Sequence, residues 1–423
     1  MNTSMNLQRI PVEKLKPAKY NPRKDLKPGD PAYEKIRRSL HDFGYVDPVI
    51  WNEVTGNIVG GHQRYKVLVA EGATEIDCVV VHIENPADEK ALNIALNKAV
   101  GEWEPVALAD LLTDLQQNGY DLGATGFDAA EIDELFSKVH DKEVMDDDCD
   151  LDAENVTPFV QPGDLWMLGR HRMLCGDATN AEDVARLMAS GSAGPVKANL
   201  VVTDPPYNVA YESKDGKTIQ NDSMADSAFY EFLLAAFKNM AAHMAEGGSA
   251  YVFHADTEGL NFRRAFKEAG FHISGVCIWV KQSLVLGRSP YQWQHEPVLF
   301  GWLPNGKHRW FSDRKQSTIW NFDKPKRSEQ HPTMKPVPLL AYPIKNSSAP
   351  NGVVLDPFGG SGSTLIACEQ TDRICHMMEL DPKYASVIVL RYIEQAGSAV
   401  GIKALRGGAE LTYEEANAAS AKV

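Results

Sequence analysis

The residues with the clearest chemical potential form a short polar turn after an apolar run. Leu200–Val202 leads through Thr203 into Asp204-Pro205-Pro206-Tyr207. An apolar run that ends in such a turn is typical of a buried parallel strand that delivers a loop at the edge where open α/β sheets bind ligands. The turn offers an acceptor carboxylate and an aromatic ring, and its prolines fix φ and remove N–H donors. An ordinary Pro-Pro turn after a core strand is the alternative.

A second apolar run, residues 353–355, ends in a glycine-rich turn that opens a helix. The turn is Asp356-Pro357-Phe358-Gly359-Gly360-Ser361-Gly362-Ser363-Thr364. Glycines let the backbone approach a ligand closely, and a helix amino terminus offers unpaired N–H groups. A third run, 374–380, contains Glu379 at its end, and an acid at that place typically binds ribose hydroxyls. These two strands therefore predict a nucleotide-like cofactor.

The two motifs together resemble the amino-group DNA methyltransferases, whose cofactor is S-adenosyl-L-methionine. The resemblance implies that Asp204 and the Pro205 carbonyl accept hydrogen bonds from an exocyclic amine of a base. It also implies that Pro206 stiffens the loop and that Tyr207 stacks on a base swung out of the duplex. The cofactor residues it implies are Asp177, Asp356, Phe358, Gly359, Gly360, Ser361, Gly362, Thr364, Glu379, Thr333 and Lys335.

The order of the motifs predicts a circular permutation. The glycine turn and Glu379 belong to strands one and two of the usual half-fold, yet both follow the catalytic turn in the chain. Residues 172–176, which precede Asp177, are then strand three, and the strand before Asp204 is strand four. With His331-Pro332-Thr333-Met334-Lys335-Pro336 upstream of the glycine turn, this order resembles the beta group of the family. The predicted fold is a permuted, three-layer, Rossmann-like α/β domain with a mostly parallel sheet.

The first part of the chain resembles the ParB/sulfiredoxin-like α+β domain. Its turn Gly60-Gly61-His62-Gln63-Arg64 opens a helix between predicted strands. In that family the turn binds a nucleotide's phosphates in some members and supports the fold in others. Gly60, Gly61, His62 and Arg64 are thus candidate nucleotide ligands, while a scaffolding or DNA-contact role is the alternative. The sulfiredoxin cysteine is missing here, which argues against a sulfinic-acid reductase.

Composition and charge set the domain boundaries. The 423 residues suit two domains. Residues 141–154 contain eight acids and one lysine, too charged to bury, and predict a solvated linker. We therefore predict a ParB-like domain at 1–140, an acidic linker at 141–159, a methyltransferase domain at 160–410 and a loose tail at 411–423. With no long apolar run and no basic-then-apolar start, we expect a cytoplasmic protein without a membrane partner.

The formal charge of −14 is unusual for a protein that binds DNA, but residues 281–345 carry eleven basic and four acidic residues. Aromatic residues are interleaved there, which favours a nucleic-acid face and predicts a target-recognition insert at 281–330. They include Tyr291, Trp293, Trp302, Trp310, Phe311, Trp320 and Phe322. Six scattered cysteines argue against zinc and disulfides, and we expect no metal. The residues predicted to contact DNA are Lys281, Arg288, Arg309, Arg314, Lys315, Lys326 and Arg327.

These features predict methyl transfer to the N6 amine of adenine in double-stranded DNA, since cytosine enzymes of this kind more often have Ser in place of Asp204. An N4-cytosine enzyme, an RNA or protein methyltransferase and a non-catalytic ParB-type regulator are the alternatives. A decayed enzyme would be expected to lose Asp204 or Tyr207, and both are present. A homodimer is one candidate assembly, and the sequence does not decide the oligomeric state.

Overall fold

The chain divides into two units, Met1–Asp141 and Lys142–Val423. The computed structural model describes residues 5–98, 103–117, 120, 122–127, 131–132, 135, 143–146, 151, 155–189, 195–210, 221–286, 290–306, 308–313, 315–323 and 334–420. Among these residues, none of the helices is long and apolar enough to cross a membrane. Five cysteines lie in the described parts, and all five are buried and free, as expected for small apolar residues.

The first unit contains a five-stranded mixed sheet. Its strands are β1 Leu7–Pro11, β2 Lys16–Pro17, β3 Val49–Asn52, β4 Asn57–Gly60 and β5 Glu75–Val81, in the order β1-β5-β3-β4-β2. Its helices are α1 Pro31–Phe43, α2 His62–Ala70, α3 Pro86–Asn97 and α4 Pro105–Gln117. Helices α3 and α4 pack around a hydrophobic cluster of their own, which includes Ile94, Leu108 and Leu112. The predicted helix at 129–139 falls mostly outside the described residues.

The second unit is built on an eleven-stranded sheet. Its strands are β6 Leu165–Leu168, β7 His171–Cys175, β8 Ala198–Thr203, β9 Met244–Phe253, β10 His272–Val285, β11 Trp293–Trp302, β12 Ile319–Asn321, β13 Val353–Asp356, β14 Ile374–Glu379, β15 Lys403–Arg406 and β16 Ala409–Thr412. Its helices are α5 Ala181–Leu187, α6 Asp226–His243, α7 Gly259–Glu268, α8 Val337–Ser347, α9 Ser363–Gln370, α10 Pro382–Ala396 and α11 Tyr413–Ser420. The strand order is β12-β10-β11-β9-β8-β13-β14-β7-β6-β15-β16.

The centre of this sheet confirms the predicted permutation. Strands β9, β8, β13, β14 and β7 are mutually parallel neighbours, although β13 and β14 come last in the chain. Successive residues of β13 alternate between two hydrophobic clusters, with Val354 in one and Leu355 in the other. Helices α8, α9 and α10 cover the first cluster, and α5, α6 and α7 cover the second. Because both faces are covered, the domain has the predicted three layers.

The prediction of a loose tail after residue 410 is wrong. Strand β15 pairs antiparallel with both β6 and β16, and α11 follows directly. The Tyr413 N–H donates to the Ile402 carbonyl at 3.2 Å, and Ala416 is fully buried. The sequence prediction missed this hairpin because its short strands carry few apolar residues and gain their stability from pairing with β6.

The prediction of a solvated acidic linker at 141–159 is also wrong for several of its residues that the structure describes. Phe159 is 3% exposed within the second unit's core. The Met145 N–H donates to Gln370 Oε1 at 3.0 Å, and Asp146 Oδ1 accepts the Val337 N–H at 3.0 Å, at the first turn of α8. An acidic side chain at a helix amino terminus satisfies an unpaired donor, so part of the charged run is structural.

Candidate functional site

Four of the predicted acids lie along one edge of the large sheet. Asp177 follows β7, Glu379 ends β14, Asp356 ends β13 and Asp204 follows β8. These four strands are adjacent and parallel, so their carboxyl ends meet at the same edge. The sheet therefore brings together motifs that are up to about two hundred residues apart in the chain.

The glycine turn is held tightly between β13 and β14. The Gly359 N–H donates to the Met378 carbonyl at 2.7 Å, and a Cβ at Gly359 would lie 2.7 Å from Met377 Cγ. Gly362 has φ +86°, a left-handed conformation, directly before α9. Gly360 (φ +52°) has open space where a Cβ would be. A ligand can therefore approach the backbone of the turn closely. A side chain at Gly360 would block that approach.

Two carboxyl groups enclosed by this turn have raised pKa values. Burial raises the pKa of Asp356 to about 7, although Thr364 and Thr203 donate hydrogen bonds to it, the latter at 2.7 Å. Burial also raises the pKa of Glu379 to about 7. The Glu379 residue keeps some solvent contact, but its carboxylate accepts the Gly360 N–H at 2.7 Å and the Asp381 N–H at 2.9 Å. Glu379 is therefore the last residue of β14 and also holds the glycine turn in place.

The remaining predicted cofactor residues take different places. Asp177 Oδ1 accepts the Thr179 N–H and hydroxyl, each at 2.8 Å, at the start of the turn before α5. The Phe358 ring packs against Phe232 with centroids 5.8 Å apart. The Ser361 carbonyl accepts Arg391 Nη1 at 2.9 Å. Thr333 lies outside the described residues.

The loop after β8 is held by a residue that the sequence analysis missed. Asp222 is 2% exposed, and its Oδ1 accepts the N–H groups of Tyr207 at 2.9 Å and Asn208 at 2.8 Å. Its carbonyl accepts the N–H of Ala210 at 2.7 Å. Asn208 and Ala210 both have positive φ, at 59° and 49°, so the loop is strained and needs these contacts. No sequence signal singles out Asp222, which stands after a polar stretch.

Both oxygens of Asp204 have donors. Lys335 Nζ lies 2.6 Å from Oδ2, and the Tyr207 hydroxyl lies 2.5 Å from Oδ1. Lys335 is 8% exposed, and its ammonium lies 3.2 Å from the Tyr207 hydroxyl. Burial and the neighbouring Asp204 carboxylate raise the pKa of Tyr207, so the phenol stays protonated. Lys335 was predicted among the cofactor residues, but the structure places its ammonium on Asp204, the predicted catalytic acid.

Glu296 completes this charged cluster and was also missed. It lies in β11, where its Oε2 is 3.2 Å from Lys335 Nζ and 3.3 Å from the Tyr207 hydroxyl, and its Oε1 is 2.5 Å from Lys281 Nζ. Burial would raise the pKa of Glu296, but the two ammonium groups outweigh it and lower that pKa to about 2. The signal that could have found it is an acid beside the apolar run 297–300, since buried charges need partners.

The predicted DNA-contacting residues are not gathered on one described surface. Lys281 is 12% exposed and pairs with Glu296. Arg309 is half-buried, with its pKa lowered by burial, whereas Lys315 is exposed. The other four predicted residues, Arg288, Arg314, Lys326 and Arg327, lie outside the described residues.

The prediction that the interleaved aromatic residues form a nucleic-acid face is wrong for Phe311 and Trp320, which are buried. Phe311 is 4% exposed and Trp320 is 3% exposed, and the Trp320 ring packs against Tyr342 and Tyr251. Trp302 stacks on His308. Tyr291 and Trp293, at the end of the β10–β11 hairpin, remain exposed. Aromatic burial wins elsewhere because each ring removes a large apolar area from water.

In the first unit, the candidate nucleotide ligands are engaged in internal contacts. Gly60 ends β4, and Gly61, with φ +85°, precedes α2. His62 is 7% exposed, its Nε2 accepts the Ala18 N–H at 3.3 Å, and burial lowers its pKa to about 4. Arg64 pairs with Asp47.

Comparison with protein families finds three matches along the chain. Residues 1–100 match the ParB N-terminal domain, residues 106–162 match the ParB-methyltransferase HTH domain, and residues 198–390 match the DNA methylase family of N6/N4 type. The third match contains Asp204, Lys335, Asp356 and Glu379. The second match covers nearly all of the helix α4 and the whole predicted linker at 141–159, which the sequence analysis had assigned to a ParB-like domain and a linker.

Similar proteins match about half of the chain. YubD of Escherichia coli (strain K12) is 28% identical over 218 residues, which cover 48% of this chain and 84% of YubD. The type II methyltransferase M2.MboI of Moraxella bovis is 23% identical over 46% of this chain and 81% of its own length. The DNA adenine methyltransferase YhdJ of Escherichia coli (strain K12) is 23% identical over 44% of this chain and 73% of its own length.

Solved structures resemble slightly more than half of the chain. The M1.HpyAVI–SAM complex is 19% identical, with a TM-score of 0.39, and the match covers 52% of this chain and 97% of that one. The PvuII DNA methyltransferase (cytosine-N4-specific) is 17% identical, with a TM-score of 0.42, and the match covers 56% of this chain and 89% of that one.

Proposed function

Because the chain belongs to the DNA methyltransferases that carry ParB-type N-terminal domains, we propose that it methylates the exocyclic N6 amine of adenine in duplex DNA. The methyl donor is S-adenosyl-L-methionine, and the target base is flipped out of the helix. One observation carries this proposal: Asp204 lies at the carboxyl end of β8, beside β13 and its glycine turn. An acceptor for an amine and a cradle for a cofactor thus occupy neighbouring strand ends.

The chain's own residues would make the amine reactive. An exocyclic amine is a poor nucleophile because its lone pair is conjugated into the base. Asp204 and the Pro205 carbonyl would accept its two hydrogens and favour the pyramidal form in which the lone pair is available. Alignment by the rigid Pro205-Pro206 turn would lower the entropic part of the barrier. The Tyr207 ring would stack on the flipped base, while Asp222 holds the loop backbone.

The residues around the glycine turn fit the cofactor. A Cβ at Gly359 would collide with Met377, and Gly360 faces open space, so backbone and not side chain borders the site. Glu379 supplies acceptors for ribose hydroxyls. Asp177 supplies a further acceptor after β7, which β14 separates from β13. Bound S-adenosyl-L-methionine would supply an activated methyl group. Asp356 and the amino terminus of α9 would close the remaining side.

Adenine is favoured over cytosine by the identity of one residue. Asp204 stands where N4-cytosine enzymes of this kind more often have Ser, and a relative named a DNA adenine methyltransferase supports this choice. An N4-cytosine enzyme is the second candidate. A non-catalytic ParB-type regulator is disfavoured by the intact set of Asp204, Tyr207 and Lys335, joined by short hydrogen bonds.

The proposal is tested by expressing the chain in a host without DNA methylation and mapping modified bases across the genome. N6-methyladenine at one sequence is expected, and N4-methylcytosine would establish the second candidate. Asp204→Ala should abolish methyl transfer while calorimetry still finds cofactor binding, because the carboxylate acts on the amine. Transfer near the wild-type rate by Asp204→Ala would remove Asp204 from the mechanism.

For the first unit we propose DNA contact, with the helix α4 in the region of the HTH match. The internal contacts of His62 and Arg64 favour a fold-supporting role for the glycine turn over a nucleotide site. Calorimetry of the full chain with nucleoside triphosphates tests this, since tight binding that His62→Ala abolishes would establish the nucleotide site. Light scattering would decide whether the chain forms a homodimer.

A further inference from the structure

Each oxygen of Asp204, the proposed catalytic acid, already accepts a short hydrogen bond before any base is bound. Lys335 donates to Oδ2 of Asp204 and the Tyr207 hydroxyl donates to Oδ1. The amine of a flipped base, as the proposed function requires, is a further donor that needs one of these oxygens. Each carboxylate oxygen can accept a second hydrogen bond, but the two short bonds already made draw negative charge from the carboxylate, so Asp204 becomes a stronger acceptor for the amine when one donor moves to another group.

Lys335 is poorly suited to leave. Its ammonium has three protons and three acceptors within reach: Asp204 Oδ2 at 2.6 Å, the Tyr207 hydroxyl at 3.2 Å and Glu296 Oε2 at 3.2 Å. The side chain is 8% exposed and lies over the Tyr207 and Phe253 rings, about 5 Å from each centroid. Moving it would uncover a buried charge, which is costly.

Tyr207 has a second acceptor already in place. Its hydroxyl has one proton, and besides Asp204 Oδ1 it lies 3.3 Å from Glu296 Oε2. A small rotation of the phenol can redirect that proton without leaving it unpaired. Lys281 holds the other oxygen of Glu296 at 2.5 Å, and this pairing keeps the glutamate charged and fixed. A charged acceptor makes a stronger hydrogen bond than a neutral one.

From these contacts we infer that Glu296 is a positioning residue that receives the Tyr207 hydroxyl when the target amine takes its place on Asp204. The inference rests on the proposed function. It assigns a role to the β10–β11 hairpin, because Lys281 and Glu296 come from its two strands and pair beside the Tyr207 hydroxyl. The exchange also orients the Tyr207 ring for stacking, since a phenol anchored at its hydroxyl cannot swing freely.

A double-mutant cycle separates this role from a merely structural one. Methyl transfer is measured with tritium-labelled S-adenosyl-L-methionine and DNA from a methylation-free host. We expect Glu296→Gln to lower kcat by on the order of 10- to 100-fold, with cofactor affinity unchanged, because a weaker neutral acceptor must replace a carboxylate. In a chain that also carries Tyr207→Phe, the same change should lower kcat less than about threefold, since no hydroxyl remains to be received. Equal losses in both backgrounds would mean that Glu296 only anchors Lys335, and would overturn the inference.

Two further variants keep the test decisive. Glu296→Asp retains the charge between the two lysines but withdraws the oxygens from Tyr207, so it should reproduce the background-dependent loss if Glu296→Gln fails to fold. The matched control is the Tyr230–Glu268 pair, another tyrosine hydroxyl bonded to a glutamate but outside the site. Tyr230→Phe and Glu268→Gln should leave kcat unchanged. If the wild-type chain transfers no methyl group to DNA, the proposed function fails and the inference with it, whereas transfer with equal losses refutes the inference alone.

Discussion

Removal of the Glu379 carboxylate should weaken cofactor binding by a calculable amount. Its two oxygens accept the N–H groups of Gly360 and Asp381 in the structure, and ribose hydroxyls would use the remaining lone pairs. Glu379→Ala removes the N–H contacts from the free chain and the complex alike, so the change in affinity comes from the ribose hydroxyls, which are left without acceptors in the complex. A loss of about 2 kcal/mol is the usual range for unpaired buried donors, which corresponds to a roughly 30-fold higher Kd.

The isosteric change Glu379→Gln should be almost as damaging. Each carboxylate oxygen already accepts one backbone N–H, so the amide nitrogen of a glutamine must face a donor whichever way it turns. The matched control is Asp381→Asn, which removes a charge two residues away. Asp381 caps α10 through a bond from the Lys383 N–H, and asparagine caps helices equally well.

The same carboxyl group predicts a pH dependence of binding. Burial raises the pKa of Glu379 to about 7 in the unliganded chain, and ribose hydroxyls favour its ionised form. Cofactor binding should therefore expel a proton, and affinity should rise between about pH 6 and about pH 8 and then level off. For the unliganded fold the sign is opposite, because a raised carboxyl pKa gives stability at low pH that is lost as pH rises through about 7.

Titration calorimetry with S-adenosyl-L-methionine, in buffers of different ionisation enthalpy, measures both the affinity and the protons released. A Kd for Glu379→Ala within twofold of wild type would show that the ribose acid lies elsewhere. Asp356 has a similarly raised pKa. A pH slope that persists in Glu379→Gln would therefore assign the titration to Asp356 and refute the reasoning for Glu379.

Two further predictions concern DNA and the acidic stretch. Lys315 is an exposed predicted contact, so Lys315→Ala should weaken DNA binding uniformly across sequences. It should also reduce the slope of the logarithm of the binding constant against the logarithm of salt concentration by about 1. An unchanged slope in binding assays over a range of salt would count against a phosphate contact. A fragment of residues 142–423 should fold and bind cofactor. The shorter fragment 154–423 lacks Asp146 and its bond to Val337, so it should melt about 2–4 °C lower because it loses a helix cap of about 1 kcal/mol. Equal melting temperatures of the two fragments in calorimetric scans would show that the cap contributes nothing.

The sequence was sufficient for the strand-end acids and the permuted order. Asp204, Asp356 and Glu379 each follow an apolar run, and parallel strands must place their ends together once both faces of a sheet are covered. Local sequence patterns alone therefore predict which strand ends lie close together in the fold. Lys335, by contrast, was found through its motif, but its partner was not, because its ammonium reaches Asp204 across 131 positions of chain.

The residues that were missed depend on geometry that no local pattern encodes. Glu296 reaches the site only because β11 pairs antiparallel with both β10 and β9, which sets it beside Lys281 and across from Tyr207. Asp222 acts through its contacts with loop N–H groups. The acidic stretch led to the opposite error. Its charge density indicates exposure, yet the Asp146 carboxylate binds the folded domain and the nearby Phe159 is buried in it.

The position of β13 and β14 has a consequence for how the domain is made. Strands β7 and β8 emerge early from the ribosome but are not neighbours, because the slot between them is filled by β13 and β14. Roughly 180 residues separate the end of β7 from the start of β13, a delay of about 10–35 s at ordinary synthesis rates. During that interval the edges of β8 and β7 that later pair with β13 and β14 have no partner strand, and unpaired strand edges promote aggregation. Nascent chains stalled before Val353 should accordingly be cut readily by protease between β7 and β8, whereas chains stalled after release of Glu379 should resist cleavage there.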